Sequence, residues 1–146
     1  MLRLSKLTDY GIVLLAQLAR EPDASPHNAR ELAAQTHLPY PVVGKVLKTL
    51  AREGILLSQR GSRGGYALAR PPAEISVAKI IAALEGPVAL TECGLAPGLC
   101  EHEPLCGVRS PWEKINRTIA TTLDRVSLAD LVHPGEIVPL HLLGVR

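Results

Sequence analysis

Three cysteines lie within one short segment, CGLAPGLCEHEPLC, and they are all the cysteines of the 146-residue chain. Their spacing is Cys93-x6-Cys100-x5-Cys106. Structural zinc sites favour cysteines two to four residues apart, and this segment has no such pair. Longer gaps on a loop rich in glycine and proline suit the larger geometry of an iron–sulfur cluster. The spacing therefore predicts a loop that binds a metal ion or a cluster, either 2Fe–2S or 4Fe–4S.

Three thiolates leave a four-ligand site one donor short. His102, Glu101 and Glu103 stand inside the loop as candidates, and a residue from elsewhere in the fold is the other source. A loop histidine flanked by glutamates is more often solvated than ligating. Asp9 lies near the start of the first predicted helix. An acid is favourable at a helix N-terminus, so its position needs no ligand role. The alternative is three reduced cysteines without a ligand, although free cysteines prefer burial and this loop looks exposed.

Cysteine usage and hydropathy indicate the compartment. An odd number of cysteines argues against a closed disulfide framework. The opening segment MLRLSKLTDYGIVLLAQLAR lacks the features of a signal peptide, and no apolar run approaches the roughly 20 residues that span a bilayer. We therefore expect a cytoplasmic protein with reduced thiols and no membrane partner.

The elements that must position this loop follow the order of a winged helix-turn-helix. Periodic apolar residues predict helices over 7–20 and about 29–35, and a third from Tyr40 to Glu53. Asn28 opens the second with a capping-box pattern. Two short strands follow, joined by the turn RGSRGG, and Ser76 begins a further helix. The fold class is mainly α with a small β-hairpin, and its core must be aliphatic because the chain has no Phe.

The third helix and the hairpin tip carry the candidate nucleic-acid contacts. Residues 40–70 contain six basic residues and one acid, and the third helix has one apolar face and one basic face. A recognition helix needs both, and glycines at a hairpin tip allow close approach to phosphate. RGSRGG is not a nucleotide-binding loop, because it joins two strands and lacks the following Lys-Ser/Thr. The candidate DNA contacts are Tyr40, Lys45, Lys48, Thr49, Arg52, Arg60, Ser62 and Arg63.

A later helix over about 110–126 carries one narrow apolar stripe. Ser110 and Pro111 are predicted to start it as cap and first residue. A long helix beyond a complete small domain favours pairing with a second copy, whereas packing on its own domain is the simpler interpretation. Because two-fold DNA readers bind as dimers, we favour a homodimer. The predicted dimer residues are Trp112, Ile115, Ile119, Leu123 and Val126.

The resulting organisation has four parts. A DNA-binding domain is predicted over 1–86, the cysteine loop over 87–110, the dimerisation helix with a short terminal helix over 111–132, and an apolar tail over 133–146. No nucleophile stands beside a general base, so we expect neither an enzyme nor a small-molecule substrate.

With these segments together, the chain resembles the bacterial iron–sulfur-cluster-sensing winged-helix transcription regulators of the IscR/NsrR type. The matching segments are RLSKLTDYG, LKTLAREGIL, QRGSRGGYALARPPAEISVAKIIAALEG and, after the cysteine loop, VRSPWEKIN. They cover roughly residues 2–132, so the resemblance rests on many motifs. ALEGPVALTEC and VRSPWEKIN are most similar to regulators of the SUF iron–sulfur assembly system.

The resemblance implies a homodimer with the two loops near its interface, cluster ligation by the three cysteines, and DNA reading by the third helix and the wing. IscR-type members place a ligating histidine three residues after the third cysteine, where this chain has Arg109. In NsrR-type members an aspartate near the start of the partner subunit's first helix completes the cluster. Asp9 matches that position within TDYG, which ranks Asp9 above His102 as the fourth ligand.

The function implied is a DNA-binding transcriptional repressor of iron–sulfur assembly genes that senses cluster status. Three alternatives stay open. The first is a redox-sensing repressor that works through thiols or zinc. The second is a nitric-oxide-responsive regulator of the same family. The third is a metal- or cluster-carrying interaction protein that does not bind DNA.

Overall fold

The structure, a computed structural model, describes residues 3–21 and 26–133. Within these residues, single turns of 3-10 helix at Pro72–Glu74 and Glu103–Leu105 accompany α-helices and one small sheet. The α-helices and strands are α1 Lys6–Arg20, α2 Ala29–Thr36, α3 Tyr40–Arg52, β1 Leu56–Gln59, β2 Gly65–Leu68, α4 Val77–Glu85, α5 Glu92–Leu95, α6 Arg109–Arg125 and α7 Leu128–Val132.

The core is aliphatic, as the absence of Phe requires. Leucine, isoleucine, valine and alanine side chains from α1–α4, β1 and α7 fill it, with Leu14, Leu47 and Leu128 fully buried. Burying a side chain of this size contributes about 1.5–3 kcal/mol of transfer free energy. Packing of aliphatic side chains, one face per helix, therefore holds α1, α2 and α3 in a helix-turn-helix arrangement.

Side-chain caps fix where several helices begin. The Asn28 side chain accepts from the Glu31 backbone N–H at 2.9 Å, and Glu31 accepts in return from the Asn28 N–H at 3.1 Å, so the predicted capping box is confirmed. Ser76 accepts from the Lys79 N–H at 3.3 Å as the predicted cap of α4. His37, at φ 56°, ends α2 in the left-handed region and turns the chain toward α3.

The wing is a two-stranded antiparallel sheet. β1 pairs with β2 in a register that places Leu56 opposite Leu68 and Gln59 opposite Gly65. The connecting turn closes with a hydrogen bond from the Gly64 N–H to the Gly61 carbonyl at 3.0 Å, and Gly61 has a φ of 108° that favours glycine. The predicted hairpin and its RGSRGG turn are confirmed.

The long helix α6 is joined to the winged-helix part at its carboxyl end. Ser76 Oγ donates to Asp124 Oδ1 at 2.7 Å, and the Val77 N–H donates to the Val126 carbonyl at 2.8 Å. The Leu128 N–H then donates to the Ile75 carbonyl at 2.8 Å. These bonds place the start of α4 directly against the end of α6.

The later part of the chain departs from prediction in three places. α6 begins at Arg109 with Val108 before it and no side-chain cap, so the prediction of Ser110 as the cap is wrong. Val126 follows the last residue of α6, because its φ and ψ are extended. The short helix α5 inside the cysteine loop was not predicted.

The predicted tail, apart from His133, lies outside the described residues. Among the described residues, no helix is long and apolar enough to cross a membrane.

Candidate nucleic-acid interface and cysteine loop

The helix α3 separates a buried face from a basic face. Val43, Val46, Leu47 and Leu50 are all buried in the core. The opposite side exposes the cationic side chains, because residues three and four apart share one side of a helix. The sequence-predicted residues on that exposed side are Tyr40, Lys45, Lys48 and Arg52, with Thr49 half-buried at its edge.

The first turn of α3 has a neighbour that sequence reasoning missed. The guanidinium of Arg30, on α2, lies over the ring of Tyr40 at 5.5 Å from the centroid. Such a cation–π contact contributes about 0.5–1 kcal/mol at an exposed site. It orients Tyr40, which is 50% exposed, and adds a positive charge beside the basic face. No pattern within the sequence marks this pair.

The wing tip is basic and exposed. Arg60, Ser62 and Arg63 are all exposed, and neither arginine forms an ion pair within the described part of the chain. Arg52, in contrast, has a weak 3.5 Å contact with Glu53. The tip therefore presents two uncompensated positive charges beyond the end of the sheet.

The base of the wing is fixed to the segment before α2. His27 and Tyr66 exchange two backbone hydrogen bonds, at 3.0 Å from the His27 N–H and 2.8 Å from the Tyr66 N–H. A β-carbon on Gly65 would collide with the His27 carbonyl, so only glycine permits this approach. This bridge orients the wing relative to α2 and α3, and no local pattern of residues indicates it.

The three cysteine side chains are free and half-buried in the loop between α4 and α6. Cys93 lies in α5, Cys100 precedes the 3-10 turn, and Cys106 follows it. Among the described residues, no three His, Cys, Asp or Glu side chains are gathered around one point as an ion-binding group. The donor set has the soft thiols that an iron–sulfur cluster uses, and binding through all three would draw them together.

Asp9 and His102, the predicted candidates for the fourth ligand, lie in different parts of the fold. Asp9 is exposed in the first turn of α1, and His102 is exposed at the residue before the 3-10 turn. Nothing in the described part of one protomer joins either of them to the three cysteines as a ligand group. The fourth ligand therefore stays a prediction.

Arg109 has a structural role in the second half of the loop. Its Nη2 lies 2.9 Å from Glu103 Oε1, and its Nε donates to Glu113 Oε1 at 2.8 Å. Glu103 is buried and also accepts from the Gly98 N–H at 2.5 Å. The hydrogen bond to Glu113, together with the charge of Glu103, raises the pKa of Arg109 above its ordinary value. Arg109 thus holds the loop against α6.

Asn116, on α6, holds the first half of the loop and was also missed by sequence reasoning. Its Oδ1 accepts from the Leu90 N–H at 2.8 Å, and its Nδ2 donates to Thr91 Oγ1 at 3.1 Å. Thr91 Oγ1 lies 3.2 Å from Cys93 Sγ. Asn116 is buried although it follows a stretch of exposed α6 residues, and burial of an amide requires such partners.

The predicted dimer stripe is mixed in exposure. Trp112 is 37% exposed and Ile115 is 43% exposed, whereas Ile119, Leu123 and Val126 are half-buried. Exposed large apolar side chains on a helix indicate an interaction surface. Ile119 and Leu123 line an apolar groove with Leu4 and Leu95, between α4 and α6.

These features define a protein with a winged helix-turn-helix fold, the fold of a class of DNA-binding proteins, with a cysteine loop between α4 and the long helix α6. Residues 4–134 match the Rrf2 family, described as "Iron-dependent Transcriptional regulator". The chain belongs to the Rrf2 family of transcriptional regulators.

Individual relatives agree with this assignment. An HTH-type transcriptional regulator of Synechocystis sp. is 33% identical over 133 residues, which cover 90% of this chain and 88% of the relative. Protein rrf2 of Nitratidesulfovibrio vulgaris is 25% identical over 144 residues, with 99% and 96% coverage.

Solved structures show the same fold. CymR, the global cysteine regulator of B. subtilis, is 27% identical with a TM-score of 0.72, over 93% of this chain and all of CymR. IscR of T. potens is 27% identical with a TM-score of 0.69, over 97% of this chain and 96% of IscR. The predicted fold class is confirmed. The predicted kinship is confirmed at the level of the family, because IscR-like and CymR-like members are both similar to this chain.

Proposed function

We propose that this Rrf2-family regulator binds operator DNA as a homodimer through α3 and the wing. The observation that carries the proposal is the basic surface formed by the exposed face of α3 and the tip of the wing. A recognition helix enters the major groove, and a basic glycine-rich tip contacts phosphate or the minor groove. In a homodimer, the partly exposed stripe of α6 would pair with that of a second copy.

We infer that the cysteine loop is the sensor and that Cys93, Cys100 and Cys106 hold an iron–sulfur cluster. The family description, the similarity to IscR and the three half-buried thiols on one glycine-containing loop support this. Asp9 of the partner subunit is our proposed fourth ligand, with His102 ranked below it. A bound cluster supplies a group that oxidants, nitric oxide or iron shortage can remove, and its loss would shift the dimer between states with different DNA affinity.

The proposed target genes are those of iron–sulfur cluster assembly, with the protein acting as a repressor. This part of the proposal is supported by the resemblance of ALEGPVALTEC and VRSPWEKIN to SUF regulators. A regulator of these genes that itself binds an iron–sulfur cluster would respond directly to the amount of cluster that the assembly proteins make.

A second candidate function has its own support. CymR, a cysteine regulator, is as similar to this chain as IscR is, and the three cysteines of this chain are free thiols. In this alternative, the thiols respond to oxidants directly, without a cluster. Formation of a disulfide under peroxide, in protein purified without iron, distinguishes it from cluster sensing.

The cluster proposal is tested by removing its ligands. Anaerobically purified protein is expected to absorb in the visible range and to contain iron and acid-labile sulfide. In the triple variant Cys93→Ala/Cys100→Ala/Cys106→Ala, all three signals should disappear because the donor thiols are gone. Substituting the exposed Ser58 of β1 by Ala is a matched control that should keep them. Equal iron and sulfide in the triple variant would refute ligation by this loop.

Gly44 offers a test of the α3 interface that separates stability from DNA binding. A β-carbon added at Gly44 would meet no other atom within 4 Å, so no packing inside the chain requires glycine there. Gly44→Ala should raise the free energy of unfolding by about 1 kcal/mol, because glycine is a poor helix former. Gly44 lies between Tyr40 and Lys48 along the DNA side, so the added methyl group should weaken operator binding. Urea unfolding and fluorescence anisotropy measure the two effects, and an unchanged affinity would place Gly44 outside the interface.

A further inference from the structure

We propose that Asn116 is a positioning residue that couples the Cys93 thiol to α6 through Thr91, so that the helix responds when a group is attached to Cys93. This inference deepens the proposed sensing function, since it names the contact through which the loop acts on the rest of the chain. It rests on the DNA-binding proposal only for the expected change in DNA affinity.

The coupling path is short and made of partly buried contacts. Two hydrogen bonds separate the helix side chain from the sulfur, 3.1 Å from Asn116 Nδ2 to Thr91 Oγ1 and 3.2 Å from that oxygen to Cys93 Sγ. The other end of the same amide accepts from the Leu90 N–H at 2.8 Å. Because both ends of the amide are engaged, it cannot flip without leaving a buried polar group unpaired.

The backbone beside Cys93 lies against the same amide. A β-carbon on Gly94 would overlap Asn116 Nδ2, so the loop approaches α6 as closely as a glycine allows. A groove of about 250 Å³ runs beside Cys93 and is lined on the α6 side by Glu113, Asn116 and Arg117. A group bound to the sulfur would enter this groove and press on the Thr91–Asn116 contact.

The far end of α6 is joined to the DNA-binding part. α6 has 17 residues, a length of about 25 Å, and its last turn accepts the bond from Ser76 to Asp124. Ser76 is also the cap of α4, and α4 contacts both α1 and α3. A shift of α6 at Asn116 is therefore carried as a rigid movement to the start of α4.

The second contact between the loop and α6, the Arg109–Glu103 ion pair, lies further along the loop. Arg109 and Glu103 hold the segment between Cys100 and Cys106, whereas Asn116 and Thr91 hold the segment at Cys93. Modification of Cys93 should therefore reach α6 through Thr91 and Asn116.

The test uses full-length protein in which Cys93 is the remaining cysteine, made by Cys100→Ser and Cys106→Ser, and iodoacetamide as the probe. The Cys93 thiolate displaces iodide, which forms one sulfur–carbon bond and can be counted by mass spectrometry. Trp112, the one tryptophan of the chain, lies one helical turn before Asn116, so its fluorescence reports on this part of α6. Anisotropy with operator DNA gives the affinity.

We expect alkylation to shift the Trp112 emission and to change the DNA affinity by about fivefold or more in the Cys93-only parent. Thr91→Val keeps the side-chain shape but removes the hydroxyl, so both responses should fall to less than about twofold. Thr91→Ser restores the hydroxyl and should restore both responses. Circular dichroism and urea unfolding confirm that the variants are folded to the same extent.

Two results would overturn the inference. One is a parent whose Trp112 emission does not respond to alkylation, and the other is a Thr91→Val variant that responds as the parent does. If the protein binds no DNA at all, the proposed function fails, but the Trp112 emission still decides whether the Thr91–Asn116 contact couples Cys93 to α6. A variant without any cysteine shows whether the emission shift arises from Cys93.

Discussion

Replacing Arg60 and Arg63 by Ala should weaken operator binding by about tenfold per arginine, and by roughly a hundredfold together. Both side chains are exposed at the wing tip and form no ion pair within the described residues, so their charges are available to phosphate. The slope of log affinity against log salt should decrease by about one for each phosphate that is no longer neutralised by an arginine. Anisotropy titrations at several salt concentrations measure both quantities.

The control removes two positive charges away from the proposed interface. Lys114 and Arg117 on α6 are exposed, and Lys114→Ala/Arg117→Ala lowers the net charge by the same amount. This variant should keep most of the affinity, because neither side chain lies on α3 or on the wing. If the control loses as much affinity as the wing variant, the wing tip has no specific role.

Gly65→Ala should lower the free energy of unfolding by about 2–3 kcal/mol and should also weaken DNA binding. The added methyl group would collide with the His27 carbonyl, and relief of this collision breaks the two backbone bonds between His27 and Tyr66. Each such bond contributes about 1 kcal/mol, and the unpaired groups cost more where they stay buried. Urea unfolding at fixed protein concentration measures the stability.

For the stability measurement, Gly44→Ala is the matched control for the same glycine-to-alanine change. It adds the same methyl group in open space within a helix, so its effect on stability should have the opposite sign. A Gly65→Ala protein as stable as the parent would mean that the wing moves freely relative to α2. In that case the His27–Tyr66 bridge would not orient the wing.

Local patterns predicted most of the elements, because helices and hairpins are marked by neighbours in sequence. The apolar spacing of α3, the Asn28 and Ser76 caps and the glycines of RGSRGG each define an element within a few residues. The predicted start of α6 was wrong by two residues because Ser-Pro is a strong start pattern, whereas Arg109 is drawn into the helix by its bond to Glu113.

The site was less predictable, because its contacts join distant parts of the chain. The spacing of the cysteines marked the loop, but nothing local shows that Asn116 reaches Thr91, 25 residues earlier. The pair Arg30–Tyr40 and the bridge His27–Tyr66 are likewise formed only when separate segments fold together. Pairs of this kind depend on the folded arrangement and leave no mark in the residues beside them.

The burial of Leu128 has a consequence for how the chain matures as it leaves the ribosome. This leucine, from the last described helix, is fully buried in the same core as α1 and α3, and α7 packs on α1. The first 86 residues contain the whole proposed DNA-binding surface, yet the core beneath it also includes Leu128 of α7. We therefore expect the core of this part to be completed during synthesis only after the cysteine loop and α6 have been made.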